Sequence, residues 1–209
     1  MKVASQLKLK NVSGLSAYAK PYGKWLARQT SGETIIYSGH KDLDHDHTQG
    51  VALLMSTEAT RALIAWEPVS PLFMAARLKV KGRMITIIQC YAPTNSADEE
   101  EKEDFYSSLQ SLLDHTPRRH LKIIMGDLNK VGDDNTNREL MGRHGVGTCN
   151  KIRELFTDFC AFNDLVIGGT AFPHKNIHKT TWTSPDGQTE NQIDHITLAR
   201  KWRRSLQDV

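Results

Sequence analysis

The sequence has no run approaching the roughly 18 consecutive apolar residues of a membrane-crossing helix, so no membrane partner is expected. Residues 1–14 lack the sustained apolar core of a secretory leader. Cysteine is scarce. Cys90, Cys149 and Cys160 are an odd number, two of them in apolar segments, which argues against a disulfide framework. Reduced thiols in a nuclear or cytoplasmic protein that is not secreted fit best, and the glycosylation pattern Asn11-Val12-Ser13 then carries no weight. Internal repeats, proline-rich linkers and low-complexity tracts are also missing. Nor is the charge one-sided: 27 basic against 24 acidic residues leave +3, too little to demonstrate nucleic-acid binding and no obstacle to it.

What remains is a chain of 209 residues with 39% apolar content, enough for one domain with a real core. Strands are expected at "TIIYS", "GVALLMS", "FMAARLKV", "RMITIIQCYA", "LKIIM", "DLVIGG", "TTWT" and "QIDHITLA", on β-branched content and turn-rich flanks. Two helices are clearer. Ser96-Ala-Asp-Glu99 has the form of a capping box, and Phe105, Leu109, Leu112 and Leu113 follow at helical spacing. Ile152, Leu155, Phe156, Phe159 and Cys160 repeat that stripe. The pattern suggests stacked sheets flanked by helices, with Ile123, Ile124, Phe156, Phe159 and Val166 buried. "SAYAKPYGKWLARQTSG" shows no sustained period, so residues 1–30 are expected to be irregular and residues 31–209 to carry the domain.

Several short motifs could carry chemistry. In "KIIMGDLNK" an apolar strand ends in Gly126, leaving Asp127 and Asn129 at its carboxyl end. That pair could hold a cation or a phosphate oxygen, or could be ordinary Asx turn chemistry. "QCYAPTN" ends a strand with Tyr91 before Pro93, which equally suits a half-buried tyrosine. "ENQIDHI" puts Asp194 and His195 on opposite faces of a strand, so they cannot pair on one face, and His195 reads as a structural histidine. "DHDH", Asp44 to His47, has metal-ligand composition but lies in what reads as a solvated hairpin loop. "RKWRRS" interleaves Trp202 with cations that could grip a DNA backbone or simply be solvated.

Tyr-Ala-Pro, Gly-Asp-x-Asn, Thr-Trp and Ile-Asp-His, in that order, resemble the endonuclease/exonuclease/phosphatase superfamily. "SGETIIYSGHK", "TQGVALLMS", "ALIAWEPVS", "MGRHGVG" and the long phrase from Phe156 to Ile196 narrow this to the endonuclease of RTE-type non-LTR retrotransposons. The resemblance covers about residues 31–209. It implies a deoxyribonuclease I-like four-layer α/β/β/α sandwich, incomplete here, and Mg²⁺-assisted nicking of DNA by a monomer. By motif it implies Asp127 orienting the attacking water, Asn129 and Tyr91 bonding the phosphate, and Asp194 orienting a histidine. Thr181, Arg203 and Arg204 are the expected substrate contacts.

The departures from that pattern shape the functional expectation. Ala17 stands where the metal-binding glutamate belongs, so no residue is assigned as a secure metal ligand and magnesium binding is doubtful. The catalytic histidine of the pattern lies beyond Ile-Asp-His and is not reached by Val209; His195 is not that residue. A truncated endonuclease domain with weak or no activity is therefore expected. The alternative is a domesticated remnant that binds DNA or protein, and a small-molecule phosphatase is disfavoured.

Overall fold

A computed structural model describes residues 24–30, 32–39, 50–94, 96–129, 151–172, 175 and 179–206. The chain divides into two compact units, residues 1–91 with 118–124, and residues 92–117 with 125–209.

The first unit stacks two sheets. β1 (Lys24–Arg28), β2 (Thr34–Gly39) and β3 (Gly50–Met55) form an antiparallel three-stranded sheet in that order. β2 and β3 pack on β4 (Leu63–Ser70), β5 (Phe73–Val80) and β6 (Arg83–Tyr91) of the second sheet. The core follows from register: Ile36 faces Leu53 in one sheet, while Leu78 faces Ile85 and Ala76 faces Ile87 in the other. All six side chains are buried, as period-two alternation places them on the inner faces. β5 and β6 are joined by Lys81 and Gly82, both at positive φ (48° and 78°), the backbone a two-residue hairpin requires.

β4 is the edge strand, and it is blunted. Pro68 cannot donate to a ladder, and the register slips between Leu63 and Ala65 and again between Pro68 and Ser70. Ile64 and Val69, exposed at those slips, therefore do not offer a clean edge for another strand to join. The short helix α1 (Thr57–Ala62) leads into this strand, capped by the Ser56 hydroxyl accepting from Ala59 N–H.

The second unit places helices beside a sheet. β7 runs from Leu121 to Asp127, its last three residues belonging to this unit. Beyond it lie β11 (Asp194–Ala199) and then β8 (Leu165–Ile167), antiparallel to β11. α3 (Lys151–Phe162) covers β8 and touches α2 (Glu99–His115). The helices are tied by a reciprocal amide pair: Gln110 donates to Asn163 and Asn163 donates back, at 3.1 and 2.7 Å. β9 (Trp182–Thr183) and β10 (Glu190–Asn191) form a small hairpin around the Ser184–Gly187 turn.

Ile123, Ile124, Phe156, Phe159 and Val166 are all buried, as expected. Three expectations need correction. Lys24–Arg28 lies within the segment expected to be irregular, yet it pairs residue for residue with Thr34–Ser38 of β2. β4 and α1 are elements beyond those expected from sequence. The capping box is not the one formed: α2 starts at Glu99 with Asp98 as its cap, whose carboxylate accepts from Glu101 N–H at 2.8 Å, while Ser96 bonds Thr94 instead. A carboxylate at the cap satisfies an orphan N–H and also favours the helix dipole.

Candidate active site

β7 ends in a backbone that only glycine supplies easily. Gly126 sits at φ 136°, a region closed to L side chains, and delivers Asp127 to the strand's carboxyl end. The strand is held there on both sides: Ala92 N–H donates to Asp127 O at 2.8 Å, and Leu128 N–H donates to Ile193 O at 3.0 Å. Asn129 then turns left-handed at φ 65°, tolerated because its N–H donates to Asp127 Oδ1 at 3.1 Å in an Asx turn. The Asn129 side-chain amide donates to Pro93 O at 2.8 Å.

β11 brings the partner residue. Asp194 opens it, and its carboxylate is close enough to raise the proton affinity of Asp127. The Asp127 carboxyl is pushed up to about 6, first by burial and then by the Asp194 charge, against the Asn129 N–H that stabilises its ionised form. Asp194 is raised as well, by burial, with the Thr181 hydroxyl opposing. That hydroxyl also accepts from Ile193 N–H and Asp194 N–H at 3.0 and 3.1 Å, clamping the β9 hairpin to the start of β11. Two like charges brought together out of water raise the free energy of the fold.

His195 points the other way, as the strand's alternation requires. It is 1% exposed, its Nε2 donates to Asn129 O at 2.9 Å, and its ring lies on Phe156 with centroids 5.7 Å apart. Burial pulls it down to about 4 against the backbone of Asn129 and Gln192, so it is neutral at pH 7. It braces the Asn129 turn from beneath and has no path to a substrate. Gly169 shares in this support, because a side chain there would meet the Gln192 amide at 2.6 Å.

The structure thus brings together Asp127, Asn129, Asp194 and Thr181. Thr181 serves to position Asp194, a role its isolated Thr-Trp motif gives no sign of. Tyr91 closes β6 in the first unit. Arg203 and Arg204 lie on a 3-10 turn (Arg200–Ser205) and line an open depression of about 370 Å³ with Ala171, Phe172 and Leu206. Neither arginine contributes to the proton affinity of either carboxylate, so the structure does not join them to the pair. Among the described residues no three His, Cys, Asp or Glu side chains form a metal-holding group. Ala17 and the "DHDH" segment lie outside the described residues.

No family model matches the chain. Solved structures do. The AP endonuclease LMAP from Leishmania major matches with TM-score 0.58 and 12% identity, covering 83% of this chain and 63% of that one. The endonuclease domain of TRAS1, a telomere-specific non-LTR retrotransposon, matches with TM-score 0.54 and 13% identity, covering 81% and 66%. The fold is therefore the DNase I-like α/β fold of the endonuclease/exonuclease/phosphatase proteins, retrotransposon endonucleases among them. In sequence, the chain is similar to craniofacial development protein 2 of Tragulus javanicus, 37% identical over 176 residues, and equally to that of Bos taurus. That alignment takes in 84% of this chain, which spans only 30% of the Tragulus protein's length.

Proposed function

We propose that the chain is a retrotransposon-type endonuclease domain whose carboxylate end receives a DNA phosphodiester, and that this span alone cleaves it no faster than background. The observation that carries the reading is the pairing of Asp127 with Asp194, two largely buried carboxylates each held above its ordinary range, with Asn129 pinned beside them. Structural carboxylates rarely accept such an environment, whereas a base poised near neutrality uses it. At pH 7 Asp127 is mostly ionised and can draw a proton from an attacking water. One Asn129 amide hydrogen holds Pro93, leaving the second for a phosphate oxygen. Tyr91 supplies a further phosphate donor, and Arg203 and Arg204 meet the flanking backbone phosphates. Asp194 holds the place of the carboxylate that by resemblance orients a histidine, a part that His195 on the opposite face does not take.

Slow cleavage follows from what is engaged elsewhere. His195 is buried, neutral and bonded to Asn129, so it cannot stabilise a leaving oxygen. The described residues do not amount to a resident magnesium site. Two carboxylates with no third ligand among the described residues would hold a cation only together with the substrate's own oxygens. Losing one acid–base group lowers rates by about 10²–10⁴.

The test is nicking of supercoiled plasmid in Mg²⁺ or Mn²⁺, with Asp127→Ala alongside, and duplex binding in EDTA. Nicking no faster than a mock preparation, with binding weakened by Arg203→Gln/Arg204→Gln, supports the reading. Metal-dependent nicking that vanishes in Asp127→Ala overturns the slow-cleavage half, and absence of duplex binding at low salt overturns the rest.

A further inference from the structure

Residues 72–91 and 118–124, which supply β5, β6 and the first half of β7, contain no carboxylate. They carry Arg77, Lys79, Lys81 and Arg83 in the first stretch and Arg118, Arg119 and Lys122 in the second. Register gathers several of these on one face. Arg77 lies across from Thr86 and Lys79 across from Met84, so both side chains emerge on the face opposite Leu78 and Ile85. Thr86 in turn holds His120, its hydroxyl 2.9 Å from Nδ1, and His120 is flanked in sequence by Arg119 and, two residues on, by Lys122. Arg77, Lys79 and Arg119 are exposed, and no ion pair involving them is found among the described residues.

The positive field there is strong enough to act on a neighbour. After its burial, the charges of Arg119, Arg77 and Lys122 are what lower the proton affinity of His120. That histidine stays neutral and so does not add to the repulsion. Clustered cations destabilise the fold. The one acid on β4, Glu67, stands on the same face as Arg77 but one pair along, opposite Ala75, and no ion pair joins the two among the described residues.

We infer that the face built by Arg77, Lys79, Arg119 and Lys122 around the Thr86–His120 pair is a docking surface for a nucleic-acid backbone, separate from the Asp127–Asp194 site. Alternate strand residues stand about 7 Å apart on one face, a fixed row of charge. Duplex DNA presents a negative charge about every 1.7 Å of its axis, so such a row meets several phosphates at once and reads no bases. An acidic protein would have to bring several carboxylates to the same row, whereas a duplex offers phosphates continuously along it.

The experiment titrates full chain against a short fluorescein-labelled duplex in EDTA over a series of salt concentrations, so that hydrolysis plays no part and a failed nicking assay leaves the result intact. Arg77→Gln/Arg119→Gln should lower the slope of log K against log salt by roughly 2, at about 0.9 for each phosphate that is no longer neutralised. The matched pair Arg61→Gln/Lys175→Gln, exposed cations outside this face, should leave the slope within experimental error. Thermal melts of each variant report that the fold is kept, and Lys79→Gln alone should lower the slope by about 1 if the double variant melts early. An unchanged slope in the Arg77 and Arg119 variants, or an equal fall in the control pair, overturns the proposal. So does charge-matched polyglutamate displacing the duplex as well as unlabelled duplex does.

Discussion

The two units bury different kinds of polar group. The first fills its sandwich with Ile36, Leu53, Met55, Met74, Leu78, Ile85 and Ile87, and its buried polar side chains, such as Thr34, Thr86 and neutral His120, carry no charge at pH 7. The second keeps Asp127 and Asp194 largely out of water and repelling one another, above a fully buried His195. Among the buried groups, only the second unit's carry charge repulsion, returned structurally by no more than the bonds to the Asn129 N–H and the Thr181 hydroxyl. A hydrophobic pair would serve β7 and β11 better, so the carboxylates point to a ligand that the first unit's core has no need of.

The largest test of this contrast lies in the apolar packing that each unit has. Phe156 is fully buried and its ring supports His195, so Phe156→Ala should cost about 3–5 kcal/mol in urea denaturation. Ile87→Ala in the first unit should cost about 2–5 kcal/mol, again leaving a cavity. The two variants differ in a second readout. Phe156→Ala loosens the His195 ring and should raise its proton affinity, visible by NMR titration. A His195 titration unmoved by Phe156→Ala would break the link between the helix and the site.

Next in size is an effect of opposite sign. Asp127 has a folded proton affinity near 6 against 3.8, so its ionisation destabilises the fold as pH rises through that range. Asp127→Asn keeps an oxygen to accept the Asn129 N–H while removing the charge. It should therefore stabilise the protein at pH 7 by about 1–3 kcal/mol, measured as an increase in Tm or in the urea midpoint. His195 works the other way. Its folded value of about 4 lies below 6.5, so the stability of its neutral form is present above 6.5 and lost as pH falls towards 4. In the wild-type chain the two trends oppose one another between pH 6 and 4, and the profile there should be shallow. In Asp127→Asn the histidine trend is opposed only by Asp194, whose proton affinity burial also raises, so stability should fall more steeply over the same acid range than in the wild-type chain. A variant less stable than wild type at pH 7 would sink the reading of Asp127 as a functional, costly residue.

How far sequence foretells this structure depends on whether a signal is local. The end of β7 is legible because an apolar run, a glycine and an Asx pair follow one another within seven residues, and each does what its chemistry suggests. His195 as a structural residue is legible for the same reason, since alternation alone separates it from Asp194. β1 is not, because its strand pairing is made across the Gln29–Glu33 turn and its own sequence has no period-two pattern. β4 is hidden by Pro68 and Glu67, which edge strands tolerate and strand rules penalise. α1 has only six residues, too few to show a helical stripe. Thr181 is expected from its motif to touch substrate; that its hydroxyl also bonds backbone donors 12 and 13 residues away is a pairing no spacing rule anticipates.

The smallest effect separates two readings of one helix start. Ser96-Ala-Asp-Glu99 and Asp98-Glu-Glu-Glu101 both satisfy the capping pattern, offset by two residues. The backbone decides between them: Asp98 sits at φ −71°, ψ 168°, the extended conformation of a cap, and its carboxylate reaches the Glu101 N–H. Asp98→Ala removes both a hydrogen bond to an otherwise orphan donor and a negative charge at the positive end of a 17-residue helix, for a loss of about 1 kcal/mol. Ser96→Ala gives up only an exposed bond to Thr94 and should change stability by a few tenths of a kcal/mol. Because α2 is tied to α3 through Gln110 and Asn163, hydrogen exchange at the first turn of α2 should quicken in Asp98→Ala while the Gln110 region stays protected. Equal losses in the two variants, or a larger one for Ser96→Ala, would place the helix start back at the serine.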